Sequence, residues 1–339
     1  MVTIKDVAER AGVNASTVSR ALKDSQSISK KTKERVRQAM EELGYVPNVA
    51  AKMLASGLTY CVGVILPPLV SPDRVSEPFF MEILTAIADE AKKHDFTISM
   101  AVSESMEDLE RQVQLLYRQR RVDGFIVLYS ESDDPVRRFL AENQVPFVIV
   151  GSPTDSGSET VYIDNDNQLM ARTAVEYLHD KGHEKILFVT DDLESEVFLE
   201  RYLGYLKGVS KLKLAQFEAQ LFDREQAETL HALIEKIQSE SISALIVIGD
   251  TLSIRVIQLL SFYGIKVPDD LSLLSFNNSV YSTMLHPYLT TFDINVEHLG
   301  RNSVSYLVKK INHEDFLVSS VTVPFHLQER ESVTKLIRD

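Results

Sequence analysis

Hydrophobic residues follow two different spacings along this chain of 339 residues. In the first 45 residues they recur every three or four positions, which is typical of short amphipathic helices. Beyond residue 60, short apolar runs alternate with longer helical patterns, and this alternation predicts parallel α/β sheets. The predicted strands are 61–66, 97–102, 124–129, 146–150, 186–190, 244–248, 271–276 and 290–295, and the predicted helices are 81–94, 107–120, 165–181, 225–239 and 252–263, with a last helix ending near 312.

The N-terminal pattern predicts three small helices. Thr3 precedes the first helix, and Asp6 follows three residues later, which is a variant of the capping box. Gly12 is suited to end this helix. A second helix over 15–22 follows after a short turn, and a third runs from Ser29 to about 43. Two short helices joined this way form a helix-turn-helix, in which the start of the second helix contacts base edges. The residues at those positions are Ala15, Ser16, Thr17, Ser19 and Arg20, and Thr3 is added as a candidate DNA contact.

The α/β part of the chain is too long for one sheet of ordinary domain size, so two lobes are expected, with the changeover near residue 160. We therefore predict an α/β protein with a helix-turn-helix head and a two-lobed body of parallel sheets. The predicted boundaries are 1–46 for the head, 47–59 for a hinge helix and linker, 60–330 for the body (first lobe about 60–160 plus 292–320, second lobe about 161–291 plus 321–330), and 331–339 for a tail.

Charge is distributed unevenly between these parts. Residues 1–60 carry ten Lys/Arg and six Asp/Glu, a net charge of +4, whereas the whole chain carries −13, which leaves −17 for the rest. A basic head on an acidic body indicates a polyanionic partner for the head alone. The single cysteine excludes a disulfide framework and a multi-cysteine metal site. The N-terminus lacks the apolar stretch of a signal peptide, and no apolar run approaches 18 residues, so a cytoplasmic protein is expected.

Polar residues follow several predicted strands, at the edge where ligands bind in open α/β sheets. Singly, each is more simply explained as a capping or surface residue; together they favour a polar, hydroxylated ligand. No Walker loop, nucleophile elbow, zinc-protease or dinucleotide-binding motif is present, so no enzyme, metal or cofactor is expected. The candidate ligand-binding residues are Asp164, Arg201, Asp250 and Asn277, with the aromatic side chains of Phe79, Phe80 and Tyr129 as covers for the apolar face of a sugar.

Several motifs together resemble the LacI/GalR family of bacterial transcription regulators, and the resemblance covers essentially the whole chain. They are TIKDVAERAGVNASTVSRAL, GYVPNVAAKMLASG, DGFIVL, GHEKI, RYLGY, VPDDLSLLSFNN and LTTFDIN, in this order. The resemblance implies a body like the periplasmic sugar-binding proteins and a homodimer bound to a palindromic operator. It places Ala15, Ser16 and Arg20 at base-reading positions. The PFF and FDIN segments are most similar to maltose-operon repressors of Gram-positive bacteria.

The family pattern also assigns a hinge helix and effector contacts. Leu54 takes the position of the side chain inserted into the central base step, and Arg201, Asp250 and Asn277 match effector-binding positions. Two departures change the pocket: Gly249 stands where the family usually has Asn, and Asn277-Asn278 where it often has an Asp pair. The hinge-helix positions are Asn48, Ala51, Lys52 and Leu54.

The leading hypothesis is therefore a homodimeric repressor controlled by a small sugar, maltose or maltodextrin. A global catabolite regulator with a phosphorylated carrier protein as corepressor is the alternative within the family. A plain sugar-binding protein would need a signal peptide and no head. A carbohydrate enzyme would need paired carboxylates, for which only Asp164 and Asp250 are candidates. After HLQERESV only TKLIRD remains, too short for a tetramerising coiled coil, so a dimer through the body is expected.

Overall fold

The computed structural model describes residues 2–22, 25–45, 53–54, 56–68, 76–131, 133–152, 160–315 and 317–336. The chain forms two compact units, Met1–Thr59 and Tyr60–Asp339. Among the described helices, none has both the length and the apolar composition needed to cross a membrane.

The head consists of the three predicted helices, α1 (Ile4–Ala11), α2 (Ala15–Leu22) and α3 (Lys30–Leu43). The backbone N–H and hydroxyl of Thr3 both donate to Asp6, at 2.7 and 2.8 Å, which lowers the pKa of that carboxyl group. The helices enclose one small core, so the prediction of three helices is confirmed. Its buried members are Val7, Ala8, Ala11, Val18, Val36 and Ala39.

Two helix ends in the head depend on glycine. Gly12 after α1 and Gly44 after α3 both have φ near 62°, a left-handed conformation that favours glycine and closes the last helical turn. At the start of α3, the Ser29 hydroxyl accepts a hydrogen bond from Thr32 N at 3.2 Å. The apolar spacing of α2 predicts an inner face of Val18, Ala21 and Leu22, but Leu22 is 40 % exposed, so this prediction is wrong for the last residue of the helix.

The body contains two sheets with helices between the strands. The strands are β1 Cys61–Ile65, β2 Thr97–Ala101, β3 Gly124–Val127, β4 Phe147–Val150, β5 Val161–Asp164, β6 Ile186–Thr190, β7 Gln220–Leu221, β8 Ala244–Val247, β9 Ser272–Asn277, β10 Thr290–Asp293, β11 Ser320–Thr322 and β12 His326–Gln328. The helices are α4 Pro78–Lys93, α5 Met106–Arg118, α6 Pro135–Glu142, α7 Asn167–Asp180, α8 Glu196–Leu212, α9 Ala227–Glu240, α10 Asp250–Phe262 and α11 Val296–Ile311, with a short 3₁₀ helix at Val280–Thr283.

Each sheet defines one lobe. The first has strand order β11-β5-β4-β3-β1-β2 and is parallel throughout. The second has order β12-β10-β9-β8-β6-β7, in which only the β10–β12 pair is antiparallel. Helix α11 packs on α4, β3 and β4, so it returns to the first lobe as predicted. The first sheet includes β5, so the changeover comes after Asp164, close to the predicted position near residue 160.

The chain passes between the lobes three times, and one side chain joins the three passages. Asn165 follows β5 and is 7 % exposed. Its Nδ2 donates to the carbonyl of Ile294, after β10, at 3.0 Å and to that of Val323, after β11, at 2.9 Å. A single buried amide therefore holds all three crossovers together.

The segment after residue 330 was expected to be a tail, and the structure shows that this is wrong for residues up to 336. Ser332 is fully buried, and its hydroxyl donates to the Leu273 carbonyl at 2.6 Å and accepts from Thr290 N at 2.8 Å. Leu336 N donates to the Lys181 carbonyl at 2.8 Å. This segment therefore packs against the second lobe and is part of its structure.

Candidate functional site

The recognition helix of the head presents a polar face. Val18 is fully buried and fixes α2 to the core. Ser16 and Arg20 are exposed on the same helix, and Ala15, Thr17 and Ser19 are half-buried. Arg20 and the small hydroxyl residues are groups that contact phosphates and base edges. The placement is therefore compatible with the predicted DNA contacts.

The remaining predicted DNA contacts divide into two groups. Thr3 is exposed, but its hydroxyl already donates to Asp6. Leu54 is helical and 89 % exposed, so it has no core contact to lose. The predicted hinge residues Asn48, Ala51 and Lys52 lie outside the described residues.

Arg201 lies at the carboxyl ends of the second sheet. Helix α8 carries it, and only 4 % of the residue is exposed. Its Nε donates to Asn167 Oδ1 at 3.0 Å and its Nη1 to the Ile248 carbonyl, just after β8, at 2.7 Å. Its guanidinium carbon lies 4.4 Å from the centre of the Phe276 ring. Among the described residues these bonds occupy Nε and Nη1, so Nη2 is left to bind a ligand.

Burial lowers the pKa of Arg201 to about 10, and the carboxylates of Asp164 and Asp250 oppose that shift. The guanidinium therefore stays charged at neutral pH. Asn167, which the sequence did not single out, connects the two groups because its Oδ1 accepts from Arg201 and its Nδ2 donates to Asp164 Oδ2 at 2.9 Å. Its one sequence signal is its position directly after a strand end, at the first residue of α7.

Asp164 belongs to the first lobe and faces this cluster from the end of β5. Its carboxylate accepts from the Ser152 hydroxyl at 2.8 Å and from Asn165 N at 2.8 Å. Burial raises its pKa from 3.8 to about 6. The structure thus brings Asp164 and Arg201, predicted separately, to one site between the lobes.

Asp250, at the start of α10, has a carboxylate that accepts hydrogen bonds from groups inside the second lobe. It is 1 % exposed, and it accepts from the Ser275 hydroxyl at 2.5 Å, the Thr291 hydroxyl at 3.0 Å and Ser279 N at 2.6 Å. These three donors surround both carboxylate oxygens. The geometry therefore gives Asp250 the role of joining β9 and β10 to α10 and does not support a direct contact with a ligand.

The two asparagines after β9 differ in their surroundings. Asn278 donates to Asp293 and accepts from Arg330, at 3.0 and 2.7 Å, so it is part of the structure. Asn277 has a left-handed backbone with φ of 97°. A Cβ at Gly249 would lie 3.4 Å from its Nδ2. The small residue at 249 therefore leaves room beside the Asn277 amide.

A cavity of about 530 Å³ opens beside Asn277. The described residues that line it come from α4, α11 and the ends of β9 and β10, and they do not include Arg201 or Asp250. They are Met81, Glu82, Thr85, Ala86, Asp89, Asn277, Asn278, Asp293, Asn295, Val296, Glu297 and Arg301. No group of His, Cys, Asp and Glu among the described residues has an arrangement that could hold a metal ion.

The three aromatic residues predicted to cover a sugar do not lie together at one site. Phe79 and Phe80 are half-buried on the first turn of α4, edge to face with ring centres 5.5 Å apart. That turn lies at the cleft because Thr251, at the start of α10, donates to Glu77 beside it at 2.8 Å. Tyr129 is only 8 % exposed, packs in the core of the first lobe and donates to Asp134 at 3.4 Å. The geometry therefore does not support a Tyr129 ring that covers a sugar.

The pKa of Asp164 gives a test of this site. The folded state binds its proton more tightly than the unfolded chain, so the stabilisation is complete below about pH 4 and is lost as the pH rises through about 6. Asp164→Asn removes this loss. Its stability relative to wild type should therefore rise by about 1 kcal/mol between about pH 5 and about pH 7.5.

Urea unfolding of both proteins at the two pH values measures this change, and any constant cost of the substitution cancels in the difference. The exposed Asp269→Asn is the matched control and should show no such trend. A relative stability of Asp164→Asn that falls with pH would contradict the assignment.

An exposed recognition helix on the same chain as a two-lobed body with a polar cleft defines a transcriptional regulator with a ligand-binding body. Comparison with known proteins agrees. Residues 3–48 match the model of bacterial regulatory proteins of the lacI family, and residues 175–333 that of a periplasmic binding protein-like domain. The chain belongs to the LacI family.

Three similar proteins illustrate the match. The HTH-type transcriptional regulator MalR of Staphylococcus xylosus is 33 % identical over 339 residues, which is 99 % of both chains. The complex of the transcriptional regulator CelR with cellobiose has a TM-score of 0.74 and 25 % identity, covering 98 % of this chain and 100 % of that one. The lac repressor dimer bound to operator and the anti-inducer ONPF has a TM-score of 0.74 and 26 % identity, covering 98 % of this chain and 99 % of that one.

Proposed function

We propose that this protein is a homodimeric repressor that binds a palindromic operator and releases it when a small sugar, maltose or maltodextrin, enters the cleft between the lobes. The observation that carries the proposal is the placement of Arg201. Its fork is fixed by two hydrogen bonds at the strand ends, and Nη2 is left for a ligand. The two internal bonds hold Nη2 in a fixed direction, from which it can donate to a sugar hydroxyl, and the flexible ammonium group of a lysine cannot copy this geometry.

The surroundings of Arg201 suit a sugar. The Asn277 amide offers a donor and an acceptor beside Gly249. Phe79 and Phe80 provide aromatic surface on the facing lobe. Cleft sites of this type combine apolar walls with a few fixed polar groups. The complex of CelR with cellobiose supports a sugar as the ligand class.

Control of DNA binding requires that the ligand favour one conformation of the body. A sugar that contacts both lobes binds a closed cleft more tightly than an open one, and this difference in affinity is the free energy available for operator release. Such couplings are typically about 1–3 kcal/mol. Asp164 and Arg201 come from different lobes and are joined through Asn167. The hydrogen bonds of this cluster therefore depend on how the two lobes are placed relative to each other.

The proposed dimer has an apolar surface available to it on the second lobe. Exposed apolar side chains occur together in the 3₁₀ helix and in the residues just after it. A contiguous apolar patch of this kind marks a protein–protein contact. Its members are Val280, 56 % exposed, Met284, 57 %, and Leu285, 52 %.

An operator-shift titration tests the proposal. Wild type should bind a palindromic operator fragment as two chains, and maltose or maltotriose should lower the affinity about 5- to 150-fold. Arg20→Ala should abolish most of the specific binding, because a base-reading arginine contributes about 1–3 kcal/mol. Arg224→Ala, an exposed substitution in the body, is the matched control.

The same titration distinguishes the alternative within the family. If a phosphorylated carrier protein strengthens operator binding and no sugar changes it, the protein is a catabolite regulator and not a sugar-responsive repressor. Wild type that fails to bind any operator fragment, together with an Arg20→Ala protein that behaves identically, would contradict the head assignment.

A further inference from the structure

One hydrogen bond to a carboxyl group joins the two lobes beside the cleft. Glu77 precedes α4 in the first lobe, and its Oε2 accepts a hydrogen bond from the hydroxyl of Thr251, in the second lobe, at 2.8 Å. The two residues are 174 positions apart in sequence, and each lies at the N-terminal end of a helix. This hydrogen bond therefore places the Glu77 carboxyl group between the lobes, close in sequence to Phe79 and Phe80.

The charges that act on Glu77 are negative. Burial raises its pKa, and the carboxylates of Asp250, Asp191 and Glu82 raise it further. Helix N-termini favour an anion, and both helices that meet here provide such an end. A carboxylate in this position receives the stabilisation that a bound phosphate would otherwise receive. Glu77 therefore places its carboxyl group where two helix N-termini meet, a position that would otherwise favour a bound anion.

The positive charge of Arg201 does not offset the negative charge of these carboxylates. Arg201 is 4 % exposed, and the carboxylates of Asp164 and Asp250 both act on it. One positive charge among two negative ones leaves the floor without an excess of positive charge. A phosphate bound by Arg201 would therefore also be repelled by the carboxylate of Asp164.

We infer that Glu77 is a selectivity-determining residue of the cleft, whose charge admits uncharged sugars and rejects phosphorylated ones. This inference rests on the proposed sugar-binding function. A hydroxyl group of a neutral sugar donates to a carboxylate in a charge-assisted hydrogen bond. A phosphoryl group has only acceptor oxygens at neutral pH, so it gains no such bond and is repelled by the carboxylate.

Glu77→Gln tests the inference because glutamine keeps an oxygen that can accept the Thr251 hydrogen bond but removes the charge. Binding of maltose, cellobiose and the phosphorylated forms of the same disaccharides is measured by calorimetry on the full chain at about pH 8, on the alkaline side of neutrality, where ionisation of a carboxyl group is favoured. Wild type should bind the neutral forms and reject the phosphorylated ones. Glu77→Gln should bind the phosphorylated forms at least about tenfold more tightly than wild type, and the neutral forms up to about tenfold more weakly because a charge-assisted hydrogen bond becomes a neutral one.

Two further variants separate charge from closure. Thr251→Val removes the hydrogen-bond donor but keeps the Glu77 carboxyl group. The affinity for neutral sugars should fall because the bond between the lobes is lost, and phosphorylated sugars should still be rejected. Glu235→Gln, exposed on α9, is the matched control and should leave all affinities unchanged. The inference is overturned if Glu77→Gln leaves the preference for neutral sugars unchanged, or if wild type binds a phosphorylated disaccharide as tightly as its neutral form. If no sugar of either kind binds wild type, the proposed function itself fails, and the inference fails with it.

Discussion

Arg201→Ala is expected to lower the free energy of unfolding by about 3–5 kcal/mol. The substitution leaves Asp164 and Asp250 without the buried positive charge that faces them. It also removes the donors to Asn167 Oδ1 and to the Ile248 carbonyl. Urea unfolding of the full chain, with the same probe for wild type and variant, measures the loss.

Two controls show which property of Arg201 matters. Arg172→Ala removes a partly exposed arginine that pairs with Glu176 at 3.8 Å, and it should cost less than about 1 kcal/mol. Arg201→Lys keeps the charge and loses the fork, so its stability should lie between wild type and Arg201→Ala while its response to sugar is lost. Stability of Arg201→Ala within about 1 kcal/mol of wild type would show that the buried charge is not needed by the fold.

This expectation revises how Arg201 can be used as a probe of ligand binding. Its place in the motif pattern predicts a residue that serves the ligand alone, so that Arg201→Ala would still bind operator with near wild-type affinity. The structure gives it a second role in holding α8 to the strand ends. A loss of operator release in Arg201→Ala therefore has to be compared with Arg201→Lys before it is assigned to the ligand.

Gly204→Val is expected to destabilise the protein by more than about 3 kcal/mol, at or beyond the usual range for overpacking a core. Gly204 lies on α8 where that helix packs on α7. A Cβ at this position would lie 2.2 Å from the carbonyl oxygen of Gln168 and 2.7 Å from its Cα. Both atoms belong to the backbone, so relief requires the two helices to move apart.

The midpoint of chemical denaturation measures this effect, and thermal melts of the same samples provide a second readout. Gly249→Ala is the matched control because its Cβ would meet only the Asn277 side chain, at 3.4 Å. Its stability should stay within about 1 kcal/mol of wild type. A Gly204→Val protein as stable as Gly249→Ala would mean that α7 and α8 are not in such close contact.

The sequence predicts the fold best where strands are buried on both faces. β3, β6 and β8 read as continuous apolar runs because helices cover both sides of a parallel sheet, and the structure confirms them. β11 and β12 were missed because they are three residues long, exposed at both ends and polar in part. Their positions are set by pairing with β5 and β10, which no local pattern contains.

The candidate site shows the same division. Arg201 and Asn277 could be predicted because polar residues after buried strands reach the edge where ligands bind. That rule places the backbone, but it does not say which donors already occupy a side chain. Asp250 therefore appeared to be a ligand contact, although three internal donors surround it. Glu77 was missed because its position depends on a contact with Thr251, far away in sequence.

The hydrogen bonds of the Asn165 amide, which hold the three crossovers together, determine where motion of the lobes can be measured. Its amide joins the carbonyls of Ile294 and Val323, so the three connecting segments share one pivot. A rotation about a fixed point produces displacements that grow with distance from it. Spectroscopic labels attached beside Asn165 would report almost constant separations even during a wide swing, whereas a pair at the rim, on the first turns of α4 and α10, would register a few degrees of rotation as a clear change in distance.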